Sequence, residues 1–436
     1  MAKVKPYKGK VALLVTVAAL GYFVDIYDLL LFGIVRRESL QGIGVSADLI
    51  GEYGTSLLNW QMWGMLAGGI FWGILGDKRG RLSVLFGSII LYSLANLANG
   101  TLNIWAENYG TASAVNMYSL LRFIAGFGLA GELGAGITLV AEAMGKEHRG
   151  WGTTIVATVG VFGAVVAALV GQQVEWNVSY YIGGTMGLLL LILRIGVYES
   201  GMYMGARETK VQRGNFLQLF TSWKLFAKYF SVIFIAVPVW YVMSLYIVLS
   251  PEMALAMGMP EGELPVAGKS IMFAYIGITI GDVASGLLSQ LLRSRKKALL
   301  VFMLLTIVAL GLYYTVGNNS LTAFYTIATV IGFATGYWAV FITTAAESFG
   351  TNIRATVTTT APNFVRGAVP GITFLFAWFQ TFFVDDASVS GDQTRISAAL
   401  CVGVIVMILA FISWRNLRET FGKDLDYVEG EENQLP

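Results

Sequence analysis

The chain has 436 residues, 56% hydrophobic and only 13% charged, with a formal net charge of +2 and a mean hydropathy of +0.66. A soluble domain carries about 25% charged residues, and the deficit here runs the whole length, which excludes a soluble protein with a single anchor. One cysteine, Cys401, and one histidine, His148, leave no material for an internal disulfide, a metal–thiolate cluster, a His-based metal site or a catalytic triad.

A hydrocarbon core about 30 Å thick takes roughly 20 apolar residues of helix. In chain order the apolar runs predict twelve spans, at 11–35, 56–76, 82–101, 118–143, 152–174, 178–198, 228–250, 268–292, 298–317, 321–347, 357–384 and 395–414. Runs this long predict helices, since a barrel strand needs only about ten alternating residues. Residues 1–10 are basic, but the run that follows is too long for the apolar segment of a signal peptide. With the first residues inside, the outer loops hold only Arg36, Arg37, Lys269 and Arg395, and the inner segments hold almost all other Lys and Arg. That asymmetry places both termini in the cytoplasm. It makes this a multi-pass protein of a plasma membrane, expected to be a bacterial inner membrane.

The longest inner loop, 201–227, divides the chain into a six-helix bundle at 1–200 and a second at 228–436 with a short cytoplasmic tail. Phe216, Leu217, Leu219, Phe220 and Trp223 in that loop predict a short amphipathic helix on the membrane surface. The halves echo each other. Span 4 ends with Ala141-Glu142-Ala143-Met144-Gly145 and then Arg149; span 10 ends with Ala346-Glu347-Ser348-Phe349-Gly350 and then Arg354. Gly131 and Gly336 keep the same offset. Repeated six-helix halves are a transporter architecture, with the substrate site between them at the midplane. The predicted fold is therefore all-α, with twelve transmembrane helices in two pseudo-symmetric bundles around a central cavity. No phosphate-binding Gly-x-x-x-x-Gly-Lys-Ser/Thr loop occurs, so the energy must come from a gradient.

The loop between spans 2 and 3 reads Gly73-Ile74-Leu75-Gly76-Asp77-Lys78-Arg79-Gly80-Arg81. Gly73 allows close helix approach, Asp77 can pair with basic residues near a helix end, and Gly80 permits a tight turn. This segment resembles the signature loop of the major facilitator superfamily. Its counterpart after span 8 runs Gly286-Leu287-Leu288-Ser289-Gln290 and then Arg293, Arg295 and Lys296; Gln290 stands where the acid is expected, weakening that inner gate contact. Span 4 carries Arg122, spaced glycines, Gly131-Glu132 and then Glu142, Arg149 and Gly150. It resembles the metabolite–proton symporter branch, and the sugar and phosphate porters share parts of the pattern. Asp25-Ile26-Tyr27-Asp28 in span 1 resembles the same branches. Span 5 has Gly160, Gly163 and Gly171 but no proline, unlike drug–proton antiporters.

The resemblance implies alternating-access symport of a carboxylate or zwitterion, such as citrate, ketoglutarate, shikimate or betaine, with protons. It implies no enzyme activity and no cofactor. It also implies a cytoplasmic gate built from Gly73, Asp77, Arg81, Glu142, Arg149, Glu347 and Arg354. The partners expected are a small-molecule substrate, protons and the lipid bilayer, with no nucleic acid; the expected state is a monomer.

Ionisable residues inside spans are costly and default to functional candidates. Asp25 lies about 21 Å and Asp28 about 25 Å above the inner end of span 1, and Arg122 lies about 24 Å up span 4. They share a level. In the sugar porters that the chain resembles, an acid on span 1 and the span 4 arginine form the proton-coupling pair; here Asp25 or Asp28 would take the proton, and the rival reading is a static ion pair. Glu132, Asp282 and Arg366 cluster near the midplane by depth, each about 15 Å from an inner end. Arg366 suits an anion clamp, because a guanidinium holds a carboxylate bidentately, with Glu132 or Asp282 compensating it when empty or bridging it permanently. Asn363, one turn before Arg366, with Tyr27 and Trp240, completes the expected substrate set. Arg194, near the inner end of span 6, is expected to snorkel to the interface. Pro238, Pro362 and Pro370 mark places where gates could flex. Deep acids outnumber deep bases, which keeps a cation or zwitterion open. The other readings are an exporter or antiporter, a carrier of metal-chelating, siderophore-like carboxylates, and, from another class, a non-transporting nutrient sensor.

Overall fold

In the computed structural model, residues 8–79, 81–132, 134, 136, 140, 149–199, 216–350, 352–384 and 391–422 are described. Apolar runs become helices because lipid offers no partner for backbone N–H and C=O groups, so each segment must satisfy its own. Span 1 is Lys8–Gly42, span 2 Ile50–Arg79 and span 3 Arg81–Asn99. A short helix, Leu102–Tyr109, bends 53° away from span 3. Span 4 begins as Thr111–Leu129 and is still helical at Glu132, Gly134, Gly136 and Val140. Span 5 is Arg149–Gln173 and span 6 Trp176–Glu199. In the second half, span 8 is Ala267–Leu291, span 9 Arg295–Val316 and span 12 Gly391–Asn416.

The other three spans are interrupted. Span 7 runs Trp223–Phe234, Val237–Val242, a π-helical turn Met243–Val248 and Ser250–Ala256, with proline in the first turn of two of these pieces. Span 10 breaks between Leu321–Thr335 and Trp338–Ser348. Span 11 breaks between Arg354–Gly367, which contains Pro362, and Val369–Val384, whose second residue is Pro370. Proline removes a helix donor, and such breaks survive at membrane depth only where protein covers them. Span 7 meets that condition: 94% of its apolar window is buried.

Among the described residues, eight helical segments are long and apolar enough to cross a bilayer unaided, nine with the bent pair. Spans 2, 4 and 11 fall outside that set, span 4 because part of it lies outside the described residues. Polar and small residues thin the apolar content of the other two: Asn59, Gln61 and glycines in span 2, and the Thr-, Pro- and Asn-rich stretch 356–363 in span 11. The whole is an all-α membrane fold of twelve spans in two pseudo-symmetric six-helix bundles.

Each bundle is built on glycine-mediated backbone contact. A Cβ on Gly64 or Gly68 of span 2 would collide with the backbone of Phe123 or Phe127 in span 4. The second half repeats this: Gly277 and Gly281 of span 8 press on the backbones of Thr329 and Phe333 in span 10. Gly163 of span 5 abuts the Phe23 carbonyl in span 1. Across the halves most such contacts are to side chains, with Gly134 against the Thr359 backbone as an exception. Gly69 and Gly73 of span 2 face the Asn363 and Thr360 side chains of span 11, and Gly33 of span 1 faces Val248 and Ile271. The linker's amphipathic character survives as a 3-10 turn, Phe216–Phe220, with Phe216 and Leu219 buried and Leu217, Phe220 and Trp223 exposed. Residues 201–215 lie outside the described residues.

Candidate functional site

The two acids of span 1 face different surroundings. Asp28 is fully buried inside the first half, and its principal charged neighbour is Arg122. Arg122 is equally buried, and its Nη1 donates to Asn96 Oδ1 of span 3 at 3.5 Å. Its guanidinium lies over the rings of Phe32 at 5.5 Å and Tyr180 at 5.6 Å. No ion pair within 4.0 Å joins Asp28 and Arg122 among the described residues, and both Asp28 oxygens, with Arg122 Nε and Nη2, are buried without a hydrogen-bond partner. The acid that belongs to Arg122 is thus Asp28. Asp25, one turn earlier, has Glu132, Arg194, Arg366 and Asp28 as its charged neighbours, and its Oδ1 is buried and unpartnered.

Glu132 does not compensate Arg366. Its carboxylate is held bidentately by Arg194 of span 6: Nη1 to Oε2 at 2.9 Å, and Nη2 to Oε1. Both side chains are at most 5% exposed. Arg194 therefore does not snorkel to the interface; a buried acid one helix away draws it inward. The Gly21 site on span 1 makes room for the pair, since a Cβ there would strike both groups.

Arg366 is 3% exposed, and no carboxylate lies within 4.0 Å of it among the described residues. Its guanidinium sits 5.8 Å from the Trp240 ring and 5.6 Å from the Trp338 ring. Its Nη1 reaches Asn363 Oδ1 at 3.5 Å, and its Nε has no partner. The charge is felt by Asp25 and Tyr22 on span 1 and by Tyr275 on span 8, so this cation faces the opposite half. Asn363 also spans the seam: its Nδ2 donates to the Ala130 carbonyl of span 4 at 2.9 Å. Gly69 leaves the space that the Asn363 side chain occupies.

Two expected substrate residues are engaged elsewhere. Tyr27 is fully buried, and its hydroxyl donates to the Ser179 carbonyl of span 6 at 3.0 Å, inside the first half and away from Arg366. Asp282 caps the broken span 10: its Oδ1 accepts from the Ala339 N–H at 3.0 Å. A carboxylate at a helix N-terminus takes a donor that would otherwise be orphaned. Its Oδ2 is buried without a partner, so Asp282 stays at the edge of the cluster rather than bridging Arg366. The residues that sequence reasoning left out are Asn96, Tyr180 and Tyr275. Two carried a signal: Asn96 is an amide inside an apolar run, and Tyr275 precedes Asp282 by two helical turns on one face.

At the end of the fold where the gate is expected, Gly73 packs on Thr360. Glu347 pairs with Arg295 at 3.1 Å and accepts from Thr420 at 2.8 Å. Arg354 Nε donates to the Ala346 and Phe349 carbonyls at 2.7 and 3.1 Å. Where Gln290 left an acid missing, Glu419 from the stretch after span 12 caps span 9, accepting from Ser294 Oγ and from the N–H groups of Arg295 and Lys296. Asp77, Arg81 and Arg149 are described at the backbone only, and Glu142 lies outside the described residues. No group of three or more metal-ligating side chains occurs among the described residues.

A family profile described as the Major Facilitator Superfamily matches residues 18–374. A Haemophilus influenzae protein named for metabolite transport is 30% identical over 219 residues, 48% of this chain and 49% of that protein. The 3-(3-hydroxy-phenyl)propionate transporter of Escherichia coli is 28% identical over 319 residues, 71% of this chain and 73% of that protein. Among solved structures, a D-xylose–proton symporter superposes with a TM-score of 0.69 at 14% identity, covering 95% of this chain and 99% of that one. At that identity the likeness is one of fold.

Proposed function

The chain belongs to the Major Facilitator Superfamily, and on that premise we propose that it is a secondary transporter, not an enzyme, that moves a small aromatic carboxylate together with protons. The observation that carries this reading is Arg366, a buried guanidinium near two tryptophans with no carboxylate within 4.0 Å among the described residues. A planar guanidinium binds a carboxylate bidentately, and flanking indole faces suit a planar ring. The Escherichia coli relative named for a phenylpropionate agrees with that chemistry.

Proton coupling follows from charge balance. A substrate anion on Arg366 stands against Asp25, which already shares its surroundings with Glu132. Like charges in low dielectric repel strongly, so an accompanying proton makes the loaded state affordable in energy. We assign the second proton site to Asp28 with Arg122, which ride together within one half. Alternating access then rocks the halves about the seam, with both termini in the cytoplasm of a bacterial cell and a single chain as the working form.

The test is uptake of labelled aromatic acids into proteoliposomes, with and without an inward proton gradient. Arg366→Ala should abolish uptake, and Arg366→Lys should leave a small fraction with a raised KM, because a point charge cannot form the bidentate pair. Asp28→Asn should lose gradient-driven accumulation while keeping exchange. Full uptake by Arg366→Ala would remove the clamp, and gradient-independent accumulation would remove the symport.

A further inference from the structure

The outer ends of the two halves are held together by charge. Arg36, near the outer end of span 1, is 1% exposed, and its Nη2 donates to Glu252 Oε1 of span 7 at 2.5 Å. Glu252 lies in the first turn of the last helical piece of span 7, Ser250–Ala256. Arg37 Nη2 stands 3.8 Å from the same oxygen, and Arg395 of span 12 donates to the Glu252 backbone carbonyl at 3.2 Å. The stem of Arg36 occupies the space left by Gly54 of span 2. A second tie crosses the seam nearby: Thr373 Oγ1 of span 11 donates to Asn59 Oδ1 of span 2 at 2.9 Å. Asn59, Glu252, Thr373 and Arg395 line one outer cavity of about 770 Å³. Deeper along span 1, Gly33 meets Val248 and Ile271 in an apolar seal.

The ion pair is incompletely satisfied. Arg36 Nε and Nη1 and Glu252 Oε2 are buried without a partner. A buried pair must offset its desolvation with additional hydrogen bonds, and one with orphaned groups is close to balance. Parting the halves would hydrate every one of those groups. The pair is therefore strong enough to hold the closed form and weak enough to release it.

We propose that Arg36 and Glu252 form the ionic lock of the outer gate: their contact pins span 1 to span 7 in the closed form, and its rupture lets the outer ends separate. The assignment stands on cross-half geometry and not on the choice of substrate or proton site. Removing one charge shifts the population toward the outward-open form, where the surviving charge meets water.

The experiment uses the full chain with Cys401→Ser, which removes its sole cysteine, and Val248→Cys as a reporter in the seal. Cells are treated from outside with a membrane-impermeant maleimide, and the labelling rate is read. Glu252→Gln should raise that rate about tenfold, the change expected when about 1.4 kcal/mol is taken from the closed form. The exchanged pair, Arg36→Glu with Glu252→Arg, should return it to the parent rate, which loosened or misfolded protein would not do. Thr373→Val should give a smaller rise. If Glu252→Gln does not reach the membrane, Arg36→Gln strands the other charge and should label fast in the same way. Labelling at the parent rate in a folded variant lacking the pair overturns the lock.

Discussion

The Glu132–Arg194 bridge allows a sharp energetic test. Both side chains are at most 5% exposed and are joined through two hydrogen bonds. Removing one partner of a buried pair costs about 3–5 kcal/mol, since the other charge is left stranded; an exposed pair is worth only about 0–1 kcal/mol. The two single variants should not be equal. In Glu132→Gln, Arg194 still has Asp25 among its charged neighbours, so the loss should fall near the low end, about 3 kcal/mol. In Arg194→Gln, Glu132 and Asp25 face each other without their shared cation, and the loss should be larger. The double change Glu132→Leu with Arg194→Met removes both charges at similar volume and should recover most of the stability. The assay is unfolding of the purified protein in detergent micelles, followed by tryptophan fluorescence and analysed as a double-mutant cycle. Single variants that each lose less than about 1 kcal/mol would mean that the pair is effectively solvated, and the case for Glu132 as a fixed structural acid would collapse.

Two other expectations concern packing and the tail. Gly163→Ala places a methyl on the Phe23 carbonyl and should destabilise by about 1–3 kcal/mol. Gly311→Ala faces open space and should gain up to about 1 kcal/mol from helix propensity; equal effects in thermal unfolding would argue against backbone contact between spans 1 and 5. Burial would push the Glu419 carboxyl up, but hydrogen bonds from Ser294 and the N–H groups of Phe421, Arg295 and Lys296 hold it below the usual carboxylate range. The sign follows: a lowered value means that docking of the tail is present at neutral pH, persists through the range where an ordinary glutamate protonates, and is lost as pH falls through the lowered value. Hydrogen exchange at residues 417–422 across acid pH reads this directly, and release in the ordinary glutamate range would contradict it.

Much of the architecture was legible in the sequence because lipid imposes a length on every crossing segment. Depth was legible for the same reason. A rise of about 1.5 Å per residue put Asp28 and Arg122 at one level, and Arg122 is the principal charged neighbour of Asp28. What depth cannot supply is rotation about the helix axis. Glu132 and Arg366 share a depth, yet Glu132 turns toward span 6, where Arg194 waits. Tyr27, between two acids in the chain, points to Ser179. Asp282 was hidden for another reason. Its partner is the N-terminus created by the break at 336–337, which no side-chain pattern announces. The same holds for Glu419, whose partners lie more than 120 residues away on span 9.

The glycine contacts carry a consequence for how such a molecule can change. Within a bundle, main chain rests on main chain, and almost no substitution fits there without prising helices apart. Along the seam most of the touching atoms belong to side chains such as Asn363, Thr360 and Val248. Stiffness and the proposed selectivity thereby fall on separate sets of residues. On the proposed reading, a slot there could be re-cut for a new cargo, one side chain at a time, while the main-chain contacts on either side keep their stiffness.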